Sequence, residues 1–251
     1  MRIPFSRLKN AAIEAADGLV GSIKDVLFDS HAWGVRYLVV DTGKWLPGRQ
    51  VLLPPAVLEQ TDWRSGNATT CLTRAQVKAS PDVSVHQPIS RQKEAELMSH
   101  YHVPFYWGPA GASLAGGGPP AFPLETAVSV QPDSHATESG DLHLRSATEV
   151  LDYDIRATDE SIGHVEDFVF DDDGWLVRYL VVDTRNWLPG RKVLVAIHWI
   201  QTISWQDASV TVGLTSDQIE QSPEFDPARW IDREYEERLH KHYGRSGYWM
   251  M

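Results

Sequence analysis

The chain has 251 residues, of which 42% are hydrophobic and 23% are charged, so it can build an ordinary globular core without disulfides or metals. Its single cysteine, Cys71, excludes an intramolecular disulfide. The formal net charge of −11 disfavours nucleic acid and anionic membrane surfaces as partners, because both are negatively charged. The first residues lack the apolar stretch of a secretory signal, and no apolar run reaches the roughly 20 residues of a membrane-spanning helix. We therefore expect a cytoplasmic protein without membrane insertion.

An internal repeat is the strongest pattern in the sequence. Residues 35–52, VRYLVVDTGKWLPGRQVL, recur at residues 177–194 as VRYLVVDTRNWLPGRKVL, and the same offset holds without a gap over most of the chain. The repeat predicts two domains of ordinary size, at residues 1–107 and 141–251. The residues between them, 108–140, are rich in Gly, Pro, Ser and Ala, which predicts a linker.

Each copy begins with a predicted β-hairpin. Its first strand covers Leu19–Asp29, and its second, Trp33–Asp41, is dense in Val, Tyr and Leu. Three further short strands are predicted at Val51–Leu53, Val57–Trp63 and Ala68–Leu72. Strands this short usually close into a small barrel, which removes exposed sheet edges.

Helices are predicted towards the end of each copy. A short helix starts after Thr73 as N-cap, and a second, Arg91–His100, follows Ser90. Its counterpart in the second copy is Arg233–His242, after Asp232. The fold class is therefore mainly β with short helices: two small barrels, each followed by a C-terminal helix.

The second strand of the hairpin is apolar on both faces in both copies, which predicts that both faces are buried. One face can line the barrel interior, and the other must pack on the helix, on the linker or on the other copy. We favour the other copy, which would give an intramolecular pair of barrels about a pseudo-twofold axis.

The pattern V-R-Y-L-V-V-D-T followed by W-L-P-G-R resembles the PRC-barrel family, which occurs in the photosynthetic reaction centre H subunit and in the ribosome-maturation protein RimM. The preceding glycine and aspartate pattern is also typical of the family: Gly21, Ile23 and Asp25, with Gly163, Val165 and Asp167 in the second copy. The resemblance covers roughly residues 5–80 and 147–222. It implies binding and assembly roles and provides no catalytic residues.

The WLPGR loops are the candidate interaction sites, through Trp45, Arg49, Trp187 and Arg191. Tryptophan and arginine are favoured at the energetic centres of protein interfaces. The alternative is structural: the tryptophan covers the barrel end and the arginine bonds a carbonyl or Asp41.

Two pairs of opposite charge recur in both copies, Asp25 with Arg36 and Asp167 with Arg178. The predicted hairpin brings each aspartate near its arginine, and we interpret the pairs as structural, with a binding role as the alternative. Buried pairs of this kind fix strand register more than they add stability.

Three other patterns carry weaker signals. The turn at residues 171–174 lacks the spacing of a calcium loop, and we interpret it as a hairpin turn. The histidines near the helix ends, His100, His102, His240 and His242, with Glu96 and Glu236, suggest a solvated helix end, with a metal site as the alternative. The aromatic pairs Tyr106-Trp107 and Tyr248-Trp249 suggest packing, with an exposed recognition tip as the alternative.

No nucleophile elbow, phosphate-binding loop or dinucleotide motif is present in the sequence. We expect a non-enzymatic binding or scaffold protein that recognises a protein partner and uses no cofactor. The alternative is a sensor that binds a small molecule or metal in a cleft between the barrels.

Overall fold

The computed structural model describes residues 1–82, 89, 91–104, 144–184 and 191–250. The predicted linker, residues 108–140, lies outside the described residues. Among those described, the strands are β1 Arg2–Pro4, β2 Ala12–Ala15, β3 Gly18–Asp29, β4 Val35–Asp41, β5 Gln50–Leu53, β6 Leu58–Asp62, β7 Asn67–Thr70, β8 Leu144–Ser146, β9 Asp154–Arg156, β10 Ser161–Asp171, β11 Leu176–Asp183, β12 Lys192–Ala196, β13 Ile200–Ser204 and β14 Ser209–Val212. The α-helices are α1 Phe5–Leu8, α2 Arg74–Lys78, α3 Arg91–Tyr101, α4 Ala147–Val150, α5 Ser216–Glu220 and α6 Arg233–His242.

The chain divides into two compact units. The amino-terminal unit comprises Asn10–His31 and Arg36–Leu144, and the carboxyl-terminal unit comprises Met1–Lys9, Ala32–Val35 and Arg145–Met251. This grouping departs from the order of the repeat in three places. Residues 1–9 and 32–35 belong to the unit of the second copy, and Leu144, near the start of the second copy, belongs to the unit of the first. The pairing of the two units about a pseudo-twofold axis stays a prediction from the sequence.

Each unit contains a seven-stranded sheet of the same topology. The strand order is β5-β4-β3-β2-β7-β6, with β8 beside β3, and β12-β11-β10-β9-β14-β13, with β1 beside β10. Most neighbours are antiparallel, whereas β2 with β7 and β9 with β14 are parallel.

The predicted closed barrel is not seen in either sheet, as far as the described residues go. Each hydrogen-bonded path has two ends, β5 and β6 in one sheet and β12 and β13 in the other. A 3-10 turn, Pro55–Val57 or Ile197–Trp199, redirects the chain between those end strands. In the first copy Pro54 and Pro55 have no N–H to extend a ladder, which helps to interrupt pairing at that corner.

The predicted hairpins are confirmed as β3 with β4 and β10 with β11. The second strand starts two residues later than predicted in the first copy, because Trp33 has a φ of 57° and belongs to the turn. Its counterpart Trp175 has a φ of 50°. The predicted burial of the second strand is also confirmed, since four consecutive residues of β4, Tyr37–Val40, are buried, and five at the end of β11.

A close backbone approach explains the glycine of the repeated glycine and aspartate pattern. A Cβ atom at Gly21 would lie 2.0 Å from the carbonyl oxygen of Asp41, and one at Gly163 would lie 2.0 Å from that of Asp183. The backbone of Gly163 also has a φ of +153°, which residues with a side chain rarely adopt. The hairpin strands can therefore pass this closely only where the residue has no side chain.

The helix starts follow the predicted caps where the structure describes them. Thr73 forms a capping box with Gln76, and Oδ1 of Asp232 accepts the Tyr235 N–H at 2.8 Å. Ser90, the predicted cap of α3, lies outside the described residues. Within the described ranges, none of the helices combines the length and the apolar character needed to cross a bilayer.

Candidate functional site

A cluster of buried charged and polar side chains lies in the carboxyl-terminal unit. We call it the Arg2 cluster, and its members are Arg2, Asp171, Arg178, Tyr179, Glu236, His240 and Tyr248. Glu236 and His240 are each only 2% exposed, and Asp171 is 4% exposed. Buried carboxylates are costly unless cations and hydrogen bonds compensate them, so their partners decide what the cluster does.

Arg2 compensates the negative charge of both carboxylates of the cluster. Its Nη1 donates to Oδ1 of Asp171 at 2.9 Å, and its Nε donates to Oε1 of Glu236 at 3.1 Å. The Tyr248 hydroxyl donates to the same Glu236 oxygen at 2.7 Å and accepts a hydrogen bond from Nε of Arg2 at 2.6 Å. Burial alone would lower the pKa of Arg2, but Glu236 and Asp171 raise it above the ordinary arginine value.

Asp171 is shared between two arginines. Arg178 donates to its second oxygen, Oδ2, from Nη2 at 2.8 Å and from Nε at 3.1 Å. The position of Arg178 has a backbone cause: Val169 pairs with Tyr179 and Phe170 with Val177, so Arg178 is the extra residue of a β-bulge. Bulges re-aim side chains, and this one brings Arg178 to the carboxylate at the end of β10.

Tyr179 joins Glu236 to His240. Its hydroxyl lies 3.0 Å from Oε1 of Glu236 and 3.1 Å from Nε2 of His240, and Nδ1 of His240 lies 3.1 Å from the carbonyl oxygen of Ser246. A carbonyl can only accept, so Nδ1 carries a hydrogen. With His240 neutral, the single hydroxyl hydrogen of Tyr179 can be donated either to Oε1 of Glu236 or to Nε2 of His240. With His240 charged, Nε2 donates and the Tyr179 hydrogen turns to Glu236.

Burial controls the titration of the groups around His240. It lowers the pKa of His240 and raises the pKa of Tyr179. The ring of His198 stacks on that of His240, with centroids 5.6 Å apart and planes at 20°. Burial, with His240 as the next cause, lowers the pKa of His198 to about 4. Both imidazoles are therefore held in the neutral form at neutral pH.

The corresponding position of the amino-terminal unit is less polar. Tyr37 and Glu94 repeat Tyr179 and Glu236, and the Tyr37 hydroxyl lies 3.4 Å from Oε1 of Glu94. At the positions of Arg2, His198 and His240, however, the amino-terminal unit has Leu144, Ala56 and Met98. The two units share the tyrosine and glutamate, but only the carboxyl-terminal unit adds the arginine and the two histidines.

Sequence reasoning noticed only part of this cluster. It considered Glu236 and His240 for a solvated helix end, which is wrong for these two residues because the tyrosine face of β11 buries them. The tyrosine face of each second strand contacts the terminal helix of its own unit, which is one of the covers that the sequence left open. The signal that could have found the cluster is the set of positions at which two otherwise matching copies differ.

The described WLPGR residues have intramolecular contacts. The indole N–H of Trp45 donates to the carbonyl oxygen of Val20, and the Arg74 guanidinium lies 4.4 Å from the centre of the indole ring. Nη1 of Arg49 donates to the carbonyl oxygen of Lys78 at 2.7 Å, and Nη2 donates to that of Ser80.

The second loop repeats this arrangement at its described end. Arg191 donates to the carbonyl oxygen of Ser222, the counterpart of Ser80. Trp187 lies outside the described residues. The arginines therefore hold the chain that follows α2 and α5 against the ends of the loops.

The arginines of the predicted charge pairs have partners four residues further along the strand. Arg178 pairs with Asp171 and not with Asp167, and Arg36 donates to Oδ2 of Asp29 at 3.1 Å. Strand register gives the reason, because Asp167 lies opposite Val181, well away from the bulge. Asp167 instead accepts the backbone N–H of Ser6 at the start of α1, at 3.2 Å. Burial raises the pKa of Asp167.

In the first copy, Oδ1 of Asp25 accepts the N–H of Val26 at 2.8 Å. This repeats the contact of Asp167 with Phe168, at 2.7 Å. The repeated aspartate of each first strand thus bonds to the backbone of its own strand.

The helix-end histidines have protein partners. Nε2 of His100 lies 2.8 Å from the carbonyl oxygen of Gln76, and Nε2 of His242 lies 2.7 Å from that of Gln218. Across the described residues, no group of three or more His, Cys, Asp or Glu side chains is arranged to hold a metal. Tyr248-Trp249 pack on the Arg2 cluster, whereas Tyr106-Trp107 lie outside the described residues.

Comparison with known proteins gives a family match within the second copy. No curated protein matches the chain. One family model matches, and the match starts just before β8 and ends just after β14, so that it includes Gly163, Asp167 and the hairpin β10–β11. Residues 143–213 match the model of the PRC-barrel domain.

Proposed function

We propose that the chain is a non-enzymatic binding or scaffold protein, built from two PRC-type domains, that recognises a protein partner. The match of residues 143–213 to the PRC-barrel model supports an interaction or scaffold role in general. The repeat extends this interpretation to the first copy, whose sheet has the same strand order. The partner contact we propose is the loop that carries the first WLPGR segment.

The observation that carries this proposal is the way in which that loop is fixed at both ends. Oγ1 of Thr42 lies 2.7 Å from the carbonyl oxygens of both Leu46 and Arg49, and the Arg49 side chain donates to the carbonyl oxygen of Lys78 at the end of α2. Between these anchors Lys44 and Pro47 are exposed. A loop with fixed ends loses little conformational entropy when its tip binds a partner.

Trp45 provides the aromatic group of this surface. It is half-buried, and Arg74 covers one face of its ring. Tryptophan and arginine are the residues most enriched at energetic centres of interfaces, where surrounding contacts exclude water. The exposed tip residues Lys44 and Pro47 would form the rim around this pair.

The test compares full-length chains in affinity purification from the native lysate, with quantitative mass spectrometry. The loop-tip variant Lys44→Glu/Pro47→Ser alters exposed residues and leaves the anchors intact. Lys241→Glu, on the exposed side of α6, makes the same charge change elsewhere and serves as the matched control. We expect a protein that wild type and Lys241→Glu enrich and the tip variant loses. Equal recovery of every partner by the tip variant would contradict the loop as contact surface.

A further inference from the structure

The first nine residues, which we call the arm, complete the carboxyl-terminal unit. In sequence the arm belongs to the first copy, but its strand β1 pairs with β10 of the second copy in antiparallel register, Ile3 opposite Phe170. Ile3, Phe5 and Leu8 of the arm are buried. The ring of Phe5 meets that of Phe170 edge-on, with centroids 6.4 Å apart. The core of this unit is therefore unfinished without a segment that is distant in sequence.

The Arg2 cluster is also unfinished without the arm. Arg2 is the residue that bonds both Asp171 and Glu236, and the arm's Arg7 lies over the Trp230 ring at 4.5 Å. The match is specific, because the corresponding segment of the second copy has Leu144 in place of Arg2. A leucine offers no donor to the two carboxylates, so the polar site selects the arm that carries arginine.

No linker residues separate the arm from the amino-terminal unit. Lys9 is the last residue assigned to the carboxyl-terminal unit, and Asn10, with a φ of 73°, starts the other unit. None of the contacts described above depends on which molecule supplies the arm, because they are all made by residues 1–9. Exchange of an identical element between two copies keeps every such contact and is a low-cost route to a dimer.

We propose that the carboxyl-terminal unit accepts the arm of a second copy of this chain, so that Arg2 of one molecule completes the Asp171–Glu236 site of the other. The partner is thus a second copy, recognised through an arginine followed by an apolar strand and a buried helical turn. This inference is independent of the loop surface proposed above, because that loop belongs to the amino-terminal unit and the Arg2 cluster to the carboxyl-terminal unit.

A pair of charge-reversed full-length variants tests the exchange. In Arg2→Glu the acidic arm is repelled by the chain's own Asp171 and Glu236, and in Glu236→Arg the basic arm faces a basic site. Each arm suits the site of the other variant. We expect a one-to-one heterodimer by light scattering after co-refolding of the mixture, whereas each variant alone stays monomeric.

Wild-type protein provides the second measurement, which decides the matter if either variant fails to fold. Two isotopically distinct preparations are unfolded together and refolded over a range of concentrations, and native mass spectrometry records mixed-isotope dimers. We expect the mixed dimer to increase with concentration and to fall when excess peptide of residues 1–9 is present, but not when the peptide carries Arg2→Leu. Wild-type chains that refold only as monomers at every concentration would overturn the proposal.

Discussion

Nε of Arg2 donates to Oε1 of Glu236 over 3.1 Å, although 234 residues separate the two in the chain. The contact links the arm to α6, and the Tyr248 hydroxyl meets the same glutamate oxygen from the last described turn of the chain. Two segments that are remote in sequence therefore converge on one buried carboxylate. Such a contact stabilises only the conformation in which the arm, α6 and the last described turn are all in place.

Replacement of Arg2 by leucine tests how much this contact contributes. Arg2→Leu copies Leu144 of the repeat and leaves Asp171 with Arg178 and Glu236 with Arg233, so part of the compensation remains. We expect a loss of roughly 2–3 kcal/mol in the free energy of unfolding, the range for losing hydrogen bonds between charged groups. Urea unfolding followed by tryptophan fluorescence measures it. Arg156→Leu, at an exposed site in β9, is the control, and an equal loss in both variants would contradict the assignment.

The sequence was sufficient to predict what depends on local pattern. Alternating apolar residues and turn residues located both hairpins, and the capping residue Thr73 located the start of α2. The repeat offset also anticipated that the two sheets share one topology.

The sequence was not sufficient where contacts between segments distant in the chain decide the structure. The bulge at Arg178 brings its side chain to Asp171 at the end of β10, and a single-residue irregularity of this kind leaves no periodic signal. The arm gave no sign that it would join the other copy's unit, since its own pattern is only a short strand and one helical turn. The same limit applies to Glu236 and His240, whose burial depends on which face α6 turns to the sheet.

A methyl group at Gly163 should destabilise the carboxyl-terminal unit strongly. Gly163→Ala places a Cβ 2.0 Å from the Asp183 carbonyl oxygen, so the two strands must separate. We expect a loss of about 3 kcal/mol or more, the upper range for overpacking and backbone strain. The matched control is Gly174→Ala, whose nearest neighbour would lie at an ordinary 3.6 Å. Thermal unfolding by circular dichroism compares the two, and similar midpoints would show that the close approach is relieved without cost.

Arg49 should matter for stability even if the loop also binds a partner. Arg49→Ala removes the donors to the carbonyl oxygens of Lys78, the last residue of α2, and of Ser80 just beyond it, where a cation also suits the helix dipole. We expect a loss of about 1–2 kcal/mol and faster amide exchange in α2. Lys44→Ala, in the exposed tip of the same loop, is the control and should leave exchange unchanged. Hydrogen exchange with mass spectrometry distinguishes them, and unchanged protection of α2 in Arg49→Ala would contradict the anchoring role.

Acid should destabilise the carboxyl-terminal unit through its stacked histidines. The pKa values of His198, at about 4, and of His240 lie below the ordinary histidine value of 6.5. In the unfolded chain both take up a proton as the pH falls through about 6.5, whereas the folded unit resists protonation until the pH is lower. The stability contributed by the neutral imidazoles is therefore fully present above pH 6.5 and is lost progressively as the pH falls towards 4.

The first copy supplies the variant that tests this pH dependence. His198→Ala/His240→Met copies Ala56 and Met98 and removes both imidazoles. We expect urea unfolding at a series of pH values to show a shallower loss of stability between pH 6.5 and 4 than wild type, although some stability at neutral pH is also lost with the Tyr179 contact. His164→Ser, which copies Ser22 outside the stacked pair, is the control, and the wild-type slope is the reference. If the double variant kept that slope as well, the acid sensitivity would have to come from groups other than the two stacked rings.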